Sequence, residues 1–216
     1  MSFFDRAAPV GWRCRRLVKT GLGTLSVTGV NDYAGTTTVS QGTLLINGNS
    51  SAATSLATVQ AIGTIAPGGT EELGPEIDSL AGGSVAFGGT LAFSYQMDTS
   101  SLQADLLVSS QGLSIHNLAA LQLSDLMSIP VEFGTKIPLI NYGGAWDGGA
   151  FAGYADDSTF TLGANTWLVN YNDTNGGDIF SPDEIYSNYF TLTEPPEPSF
   201  VRLLLLGTCW MRRRKR

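Results

Sequence analysis

The sequence predicts an all-β fold, built as a β-solenoid with a less regular C-terminal cap. Glycine makes up 26 of the 216 residues, and only 14% of the residues are charged. Threonine, serine and asparagine dominate the remaining polar fraction, which favours short strands and turns over helices. Some glycines recur about 20 residues apart, which is the scale of one solenoid coil. A β-sandwich is the alternative architecture.

Strands are expected where apolar and small residues alternate over short runs. Gly-Gly, Asn-Gly and Pro-Gly steps separate these runs and supply the positive φ that tight turns need. A short helix is conceivable over 117–128, but we interpret 119–123 as a strand. In chain order the expected strands are 24–28, 36–46, 57–66, 84–96, 104–116, 119–123, 136–142, 159–162, 166–171 and 189–193.

A Gly-x-apolar pattern marks the expected corners of the coils. Gly23 and Gly42 are 19 residues apart, and Gly42 and Gly63 are 21 apart. We expect each glycine to turn the backbone sharply, and the apolar residue that follows to point inward onto the next coil. Regularity fades after residue 120, so the second half is expected to cap the coils. The pattern occurs at Gly23-Thr24-Leu25, Gly42-Thr43-Leu44, Gly63-Thr64-Ile65, Gly83-Ser84-Val85, Gly89-Thr90-Leu91 and, with an inserted leucine, Gly112-Leu113-Ser114-Ile115.

Charge divides the chain into an acidic body and two basic ends. Residues 20–201 contain 18 acidic residues and one basic residue, Lys136, which gives this span a formal charge of −17. Such a body repels phosphate backbones, so we expect no nucleic-acid partner. It attracts divalent cations, but diffusely rather than at a site.

The residues that usually carry catalysis or bind cofactors are scarce. The two cysteines, Cys14 and Cys209, lie in the basic ends, so the body is expected to fold without disulfides or a CxxC metal site. His116 is the only histidine and is expected to have an ordinary role in a strand. No nucleophile motif or phosphate-binding loop is present. We therefore expect no enzymatic activity and no cofactor.

Two acidic stretches and an aromatic cluster are the remaining candidate sites. Asp156 and Asp157 are expected in a solvated turn. In a calcium loop that starts at Asp173, glycine and aspartate would be exchanged at positions 5 and 6, so an Asx-rich turn is favoured over a Ca²⁺ site. The weak metal candidates are Asp173, Asn175, Asp178 and Glu184. The aromatic residues are expected to pack in the core or cap, with sugar stacking as the alternative; they are Tyr142, Trp146, Tyr154, Trp167 and Tyr171.

Residues 19–48 resemble the autotransporter-associated β-strand repeat. Three sub-motifs occur in order: Lys-x-Gly-x-Gly-x-Leu from Lys19, Asn-x-Tyr-x-Gly from Asn31 and Thr-x-Val-x-x-Gly-x-Leu from Thr37. The resemblance implies an extracellular, right-handed parallel β-helix in which the repeat is structural and carries no catalytic residue. Only one clear copy is present, and residues 1–19 contain no apolar run of the ~7–15 residues that a signal peptide needs. We therefore expect a truncated or mis-started N-terminus.

The C-terminus is similar to the PEP-CTERM sorting signal of bacterial proteins that an exosortase processes. Pro196-Glu197-Pro198 precedes an apolar run over 200–211 and a basic cluster, Arg212-Arg213-Arg214-Lys215-Arg216. The resemblance implies a transient anchor in the inner membrane, with exosortase as a partner. The run departs from the pattern because it is short and Arg202 interrupts it. Twelve helical residues reach only ~18 Å, against ~30 Å of hydrocarbon.

The sequence thus predicts three segments: a basic, disordered or mis-started N-terminus (1–18), a solenoid body (19–193) and a sorting tail (194–216). The predicted function is that of an exported structural scaffold at the cell surface or in the extracellular matrix. A polysaccharide-binding or polysaccharide-cleaving β-helix is the alternative, and extracellular polysaccharide is the expected partner in that case.

Overall fold

The computed structural model describes residues 16–28, 35–47, 57–67, 77–81, 85–97, 102–126, 129–177 and 186–196. None of these residues is helical, as expected from the composition. The 119–123 run is a strand from residue 120 onward, as interpreted. The strands are β1 (Leu17–Lys19), β2 (Thr24–Thr28), β3 (Thr37–Asn47), β4 (Ala57–Pro67), β5 (Ile77–Ala81), β6 (Val85–Phe87), β7 (Thr90–Met97), β8 (Leu102–Ala104), β9 (Leu106–Ser109), β10 (Leu113–Ile115), β11 (Ala120–Asp125), β12 (Lys136–Tyr142), β13 (Thr159–Leu162), β14 (Asn165–Asp173) and β15 (Asn188–Thr193).

Successive coils stack through parallel pairing, which confirms the solenoid and not the sandwich. Within the described residues the strands form one nine-stranded and one six-stranded sheet. The larger sheet has two strips of parallel strands, and its ninth strand, β8, pairs antiparallel with β7. The first strip contains β1, the first residues of β3 and β4, and the whole of β6 and β10. The second strip contains β2, the remaining residues of β3 and β4, and the strands β7 and β11.

Equivalent residues of successive coils lie on top of one another and form inward columns. In the second strip, Leu25 pairs with Leu44, and the same column continues in the following coils with Ile65, Leu91 and Leu121. The last four of these side chains are buried. Burying an aliphatic side chain contributes about 1.5–3 kcal/mol, so each column stabilises the stack of coils. The apolar residues of the Gly-x-apolar pattern therefore point inward, as predicted.

The Gly-x-apolar pattern belongs to two different corners and not, as the sequence predicts, to one. Gly23, Gly42, Gly63 and Gly89 all precede the second strip, where Thr24, Thr43, Thr64 and Thr90 are in register. Val85 and Leu113 instead pair with each other in the first strip. Gly112 thus lies before the first strip, since a coil needs more than one turn to close; Gly83 lies outside the described residues.

The second sheet closes the solenoid. Its strands β5, β9 and β12 are parallel and follow one another in successive coils. After β12 the pairing becomes antiparallel, in the order β12, β15, β14 and β13. This change of direction stops the addition of parallel coils at this sheet, and it is the less regular cap predicted for the second half of the chain.

Candidate functional site

The repeat corner contains a buried lysine in an apolar column. Lys19 starts the first-strip column that continues through Val39, Val59, Phe87 and Ile115. Only 4% of Lys19 is exposed. Its Nζ donates hydrogen bonds to the carbonyl oxygens of Thr20 (3.2 Å), Gly21 (2.6 Å) and Gln41 (3.0 Å). Since an ammonium has three donors, the carbonyls satisfy all of them.

This lysine joins the first coil to the second. Thr20 and Gly21 lie between β1 and β2, whereas Gln41 lies one coil further, in β3. Gly42 follows Gln41 with φ of +72°, and a Cβ there would lie 2.3 Å from the carbonyl oxygen of Gly21. The corner therefore requires both the lysine and the glycine. The ammonium group of the lysine bonds only to backbone carbonyls of the corner, so we interpret the corner as a structural element.

The aromatic side chains form a buried cluster in the cap. Trp146 stacks on Tyr171 with 5.2 Å between ring centroids, and Tyr171 stacks on Phe190 at 4.3 Å. Phe151 contacts this stack and also packs edge-on against Phe87 of the last coils at 5.4 Å. Core packing, the favoured interpretation of these aromatics, is confirmed for Tyr142, Trp167 and Tyr171, which are fully buried.

Buried tyrosine hydroxyls tie the cap together. Tyr142 Oη donates to the carbonyl of Tyr171 at 2.6 Å. Tyr171 Oη donates to the carbonyl of Tyr154 at 2.8 Å and accepts from the amide of Phe151 at 3.0 Å. Burial, with a smaller effect of the Asp156 charge, raises the pKa of Tyr142 to about 12. Both hydroxyls keep their protons and serve as structural donors.

The weak metal candidates form the Asx-rich turn that the sequence favours, as far as they are described. Asp173 Oδ1 accepts from the amide of Asn175 at 3.0 Å, and Asn175 Oδ1 accepts from the amide of Gly177 at 2.8 Å. Asp173 Oδ2 binds Lys136 Nζ at 2.6 Å and Thr191 Oγ1 at 2.9 Å. Asp178 and Glu184 lie outside the described residues.

Asp156 and Asp157 lie in an exposed turn, as predicted. Asp156 Oδ1 accepts from the amide of Tyr171 at 3.0 Å, and the amide of Asp157 donates to the carbonyl of Val169 at 2.9 Å. Asp157 has φ of 58°, a conformation that aspartate tolerates in turns. The pair therefore joins the turn to β14. In the described parts of the chain, no three His, Cys, Asp or Glu side chains gather as metal ligands.

An open groove on the outside of the coils contains the remaining polar groups. We call it the outer groove. It has a volume of about 510 Å³ and follows the corner after the first strip. Its lining includes Thr58, Gln60, Ala86, Ser114, His116 and Asp147. No sequence pattern predicts this groove, because its residues come from four levels of the stack and are distant in the chain. His116 lies one residue after β10 and is exposed, so it is not the strand residue expected.

Asp147 is the central polar group of the outer groove. Its Oδ2 accepts from Ser114 Oγ at 2.6 Å, and its Oδ1 accepts from the amides of Gly149 (2.9 Å) and Ile115 (3.3 Å). Burial opposes ionisation, but these hydrogen bonds outweigh it and lower the pKa of Asp147. The serine hydroxyl is bonded directly to the carboxylate and not to His116, so the three residues do not form the relay of a serine hydrolase.

The predicted sorting motif lies at the end of the described chain. Pro196 is its only described residue and is exposed. Glu197, Pro198, the apolar run and the basic cluster lie outside the described residues, as do Cys14 and Cys209. Where the structure describes the chain, it contains no helix long and apolar enough to cross a membrane.

Comparison with known proteins identifies the repeat. Residues 17–46 match the passenger-associated-transport-repeat family, which confirms the resemblance of 19–48 to an autotransporter repeat. Over 155 residues, 69% of the chain, the sequence is 34% identical to the adhesin BmaC autotransporter of Brucella suis biovar 1 (strain 1330). The chain spans 4% of that relative's length. No solved structure matches the chain.

Proposed function

We propose that this protein is an exported, surface-exposed β-scaffold with an adhesive role and no enzymatic activity. The observation that carries the proposal is the parallel stack of coils that starts in the matched repeat and continues, in one register, to Leu121. Such a stack buries its apolar columns and presents its polar side chains outward over a long, rigid surface. The similar relative is an adhesin autotransporter, which agrees with a role in surface display.

We further propose that an exosortase sorts the protein through the C-terminal tail, with a transient anchor in the inner membrane. The support is the order of Pro196-Glu197-Pro198, an apolar run and the cluster 212–216. An extended Pro-Glu-Pro segment suits recognition, and the basic residues would remain cytoplasmic. The described β15 ends at Thr193, and the backbone of Glu194 still bonds to Gly134 and Thr135, so the chain from Glu197 onward is expected to be dispensable for folding.

Surface labelling of intact cells tests the first proposal. A membrane-impermeant reagent should label the full chain on whole cells, with a cytoplasmic protein as the negative control. Labelling only after lysis would contradict surface exposure. The label should also be removed by external protease, because a displayed solenoid is accessible from outside.

Variants of the tail test the second proposal in a host that contains an exosortase. Replacing Glu197 and Pro198 by alanine should change the distribution between cells and medium, while Pro195→Ala, one residue before the motif, should not. Deleting residues 197–216 should leave the melting temperature of the purified protein nearly unchanged. An unchanged distribution after the double replacement would contradict sorting by this motif.

A further inference from the structure

The outer groove crosses the three stacked coils of β4, β6 and β10, and Asp147 of the next coil borders it. Thr58, Ala86 and Ser114 are in register on β4, β6 and β10. The middle coil has small residues at the corner, Ala86 and Gly88, whereas its neighbours have longer side chains. This difference in size opens a shallow groove of about 510 Å³.

One wall of the groove offers acceptors of hydrogen bonds. Asp147 accepts three hydrogen bonds, and a carboxylate has about four lone-pair sites, so it retains acceptor capacity on Oδ2. Ser114 gives its proton to Asp147, which leaves the lone pairs of its oxygen available. The carboxylate is already held in place by these bonds, so a ligand would not have to order it.

The same groove also offers donors. The Nδ1 of His116 accepts from the amide of Leu118 at 3.4 Å. In the neutral imidazole the proton is then on Nε2, which makes that atom a donor. The side-chain amides of Gln60 and Asn117, which line the groove as well, add further donors and acceptors.

This mixture of groups selects among classes of ligand. A hydroxyl group both donates and accepts, so it matches Asp147 and His116 together. An inorganic cation would leave the histidine N–H without an acceptor, and an anion would be repelled by Asp147 and by the −17 charge of residues 20–201. The methyl group of Ala86 suits the C–H face of a sugar ring.

We propose that the outer groove binds a neutral oligosaccharide, whose hydroxyl groups hydrogen-bond to Asp147, Ser114 and His116. The proposal names the partner class of the surface scaffold and rests on the function proposed above. The ligand would contact four successive levels of the stack, since the residues of the groove come from β4, β6, β10 and the segment after β12, which pairs with β10.

Binding to defined oligosaccharides tests the proposal. The purified full chain is applied to an array of neutral gluco-, manno- and galacto-oligosaccharides, with uronate oligosaccharides of the same length beside them. The affinity for the neutral sugars retained is then measured by calorimetric titration. Asp147→Asn removes the charged acceptor, and hydrogen bonds to charged groups are stronger than those between neutral groups. We expect its affinity to fall by about tenfold or more, since 1.4 kcal/mol is a factor of ten.

Ala86→Ile provides a second variant that leaves every hydrogen-bonding group in place. Isoleucine favours strands and would fill the groove, so affinity should again fall about tenfold while the melting temperature is retained. Asp157→Asn, an exposed carboxylate outside the groove, is the matched control and should bind as the unmodified protein does.

Three results would overturn the proposal: no neutral oligosaccharide is bound, only uronates are bound, or both groove variants bind as tightly as the control. Surface labelling of intact cells is independent of these results. Failure of sugar binding with successful labelling would remove this inference alone, whereas failed labelling would remove the proposed function itself.

Discussion

Replacing Gly42 by alanine tests whether close approach of the coils determines the repeat corner. Gly42 has φ of +72°, and a Cβ there would lie 2.3 Å from the Gly21 oxygen, 2.5 Å from the Gly23 oxygen and 2.7 Å from Lys19 Nζ. A left-handed conformation costs a residue with a Cβ about 1–2 kcal/mol. Overpacking adds about 1–3 kcal/mol, since two of the three atoms belong to backbone and cannot rotate away. We expect the free energy of unfolding to fall by about 2–5 kcal/mol in total.

Gly134→Ala separates the two contributions. Gly134 has φ of +83°, but nothing lies within 4 Å of the Cβ position, so only the conformational cost of about 1–2 kcal/mol applies. Gly23→Ala meets neither obstacle and should change stability by less than about 0.5 kcal/mol. The free energy of unfolding is measured by urea titration followed by far-ultraviolet circular dichroism, with the slope checked for each variant. A loss for Gly42→Ala no larger than that for Gly134→Ala would refute the argument from close approach.

Three further predictions concern the charged groups. Lys19→Met leaves three corner carbonyls without their donor, so thermal melting should show that the free energy of unfolding falls by about 1–3 kcal/mol. Arg16→Met, at an exposed position, should leave this free energy almost unchanged. Burial raises the pKa of Asp173, but hydrogen bonds from Lys136 and other donors, together with the charge of Lys136, outweigh burial and lower this pKa. The ionised Asp173 therefore stabilises the fold above the ordinary pKa of an aspartate, about 4, and this stability is lost as the pH falls below that value. Lys136→Met should weaken this acid-dependent loss in pH-resolved melting curves, and an unchanged pH profile would contradict the role of the pair. Calcium should stabilise the chain only through diffuse attraction that weakens in added salt, because Asp173 already forms an ion pair with Lys136. Saturable stabilisation by calcium that Asp173→Ala abolishes would instead indicate a calcium site.

The outer groove shows why the sequence did not reveal the candidate site. Thr58, Ala86 and Ser114 are 28 residues apart from one to the next, and Asp147 is a further 33 residues along the chain. Each residue is ordinary in its own strand or turn. The groove exists because two small residues of one coil lie between larger residues of its neighbours, and only the register of the parallel strands determines which residues become neighbours.

The sequence by itself determined most of the strands, the solenoid and the glycine corner before the second strip, but not β1 and β5 or the breaks within 84–96 and 104–116. Strand propensity and positive φ are local properties, so expected strands such as 136–142 and 159–162 coincide with β12 and β13. Only the tertiary structure decided that Lys19 heads an apolar column, that Lys136 pairs with Asp173 and that β13, β14 and β15 turn antiparallel to form the cap. These features depend on contacts between coils distant in the chain. A buried charge is stable only where packed backbone carbonyls or a carboxylate meet it, and no local pattern of residues specifies that arrangement.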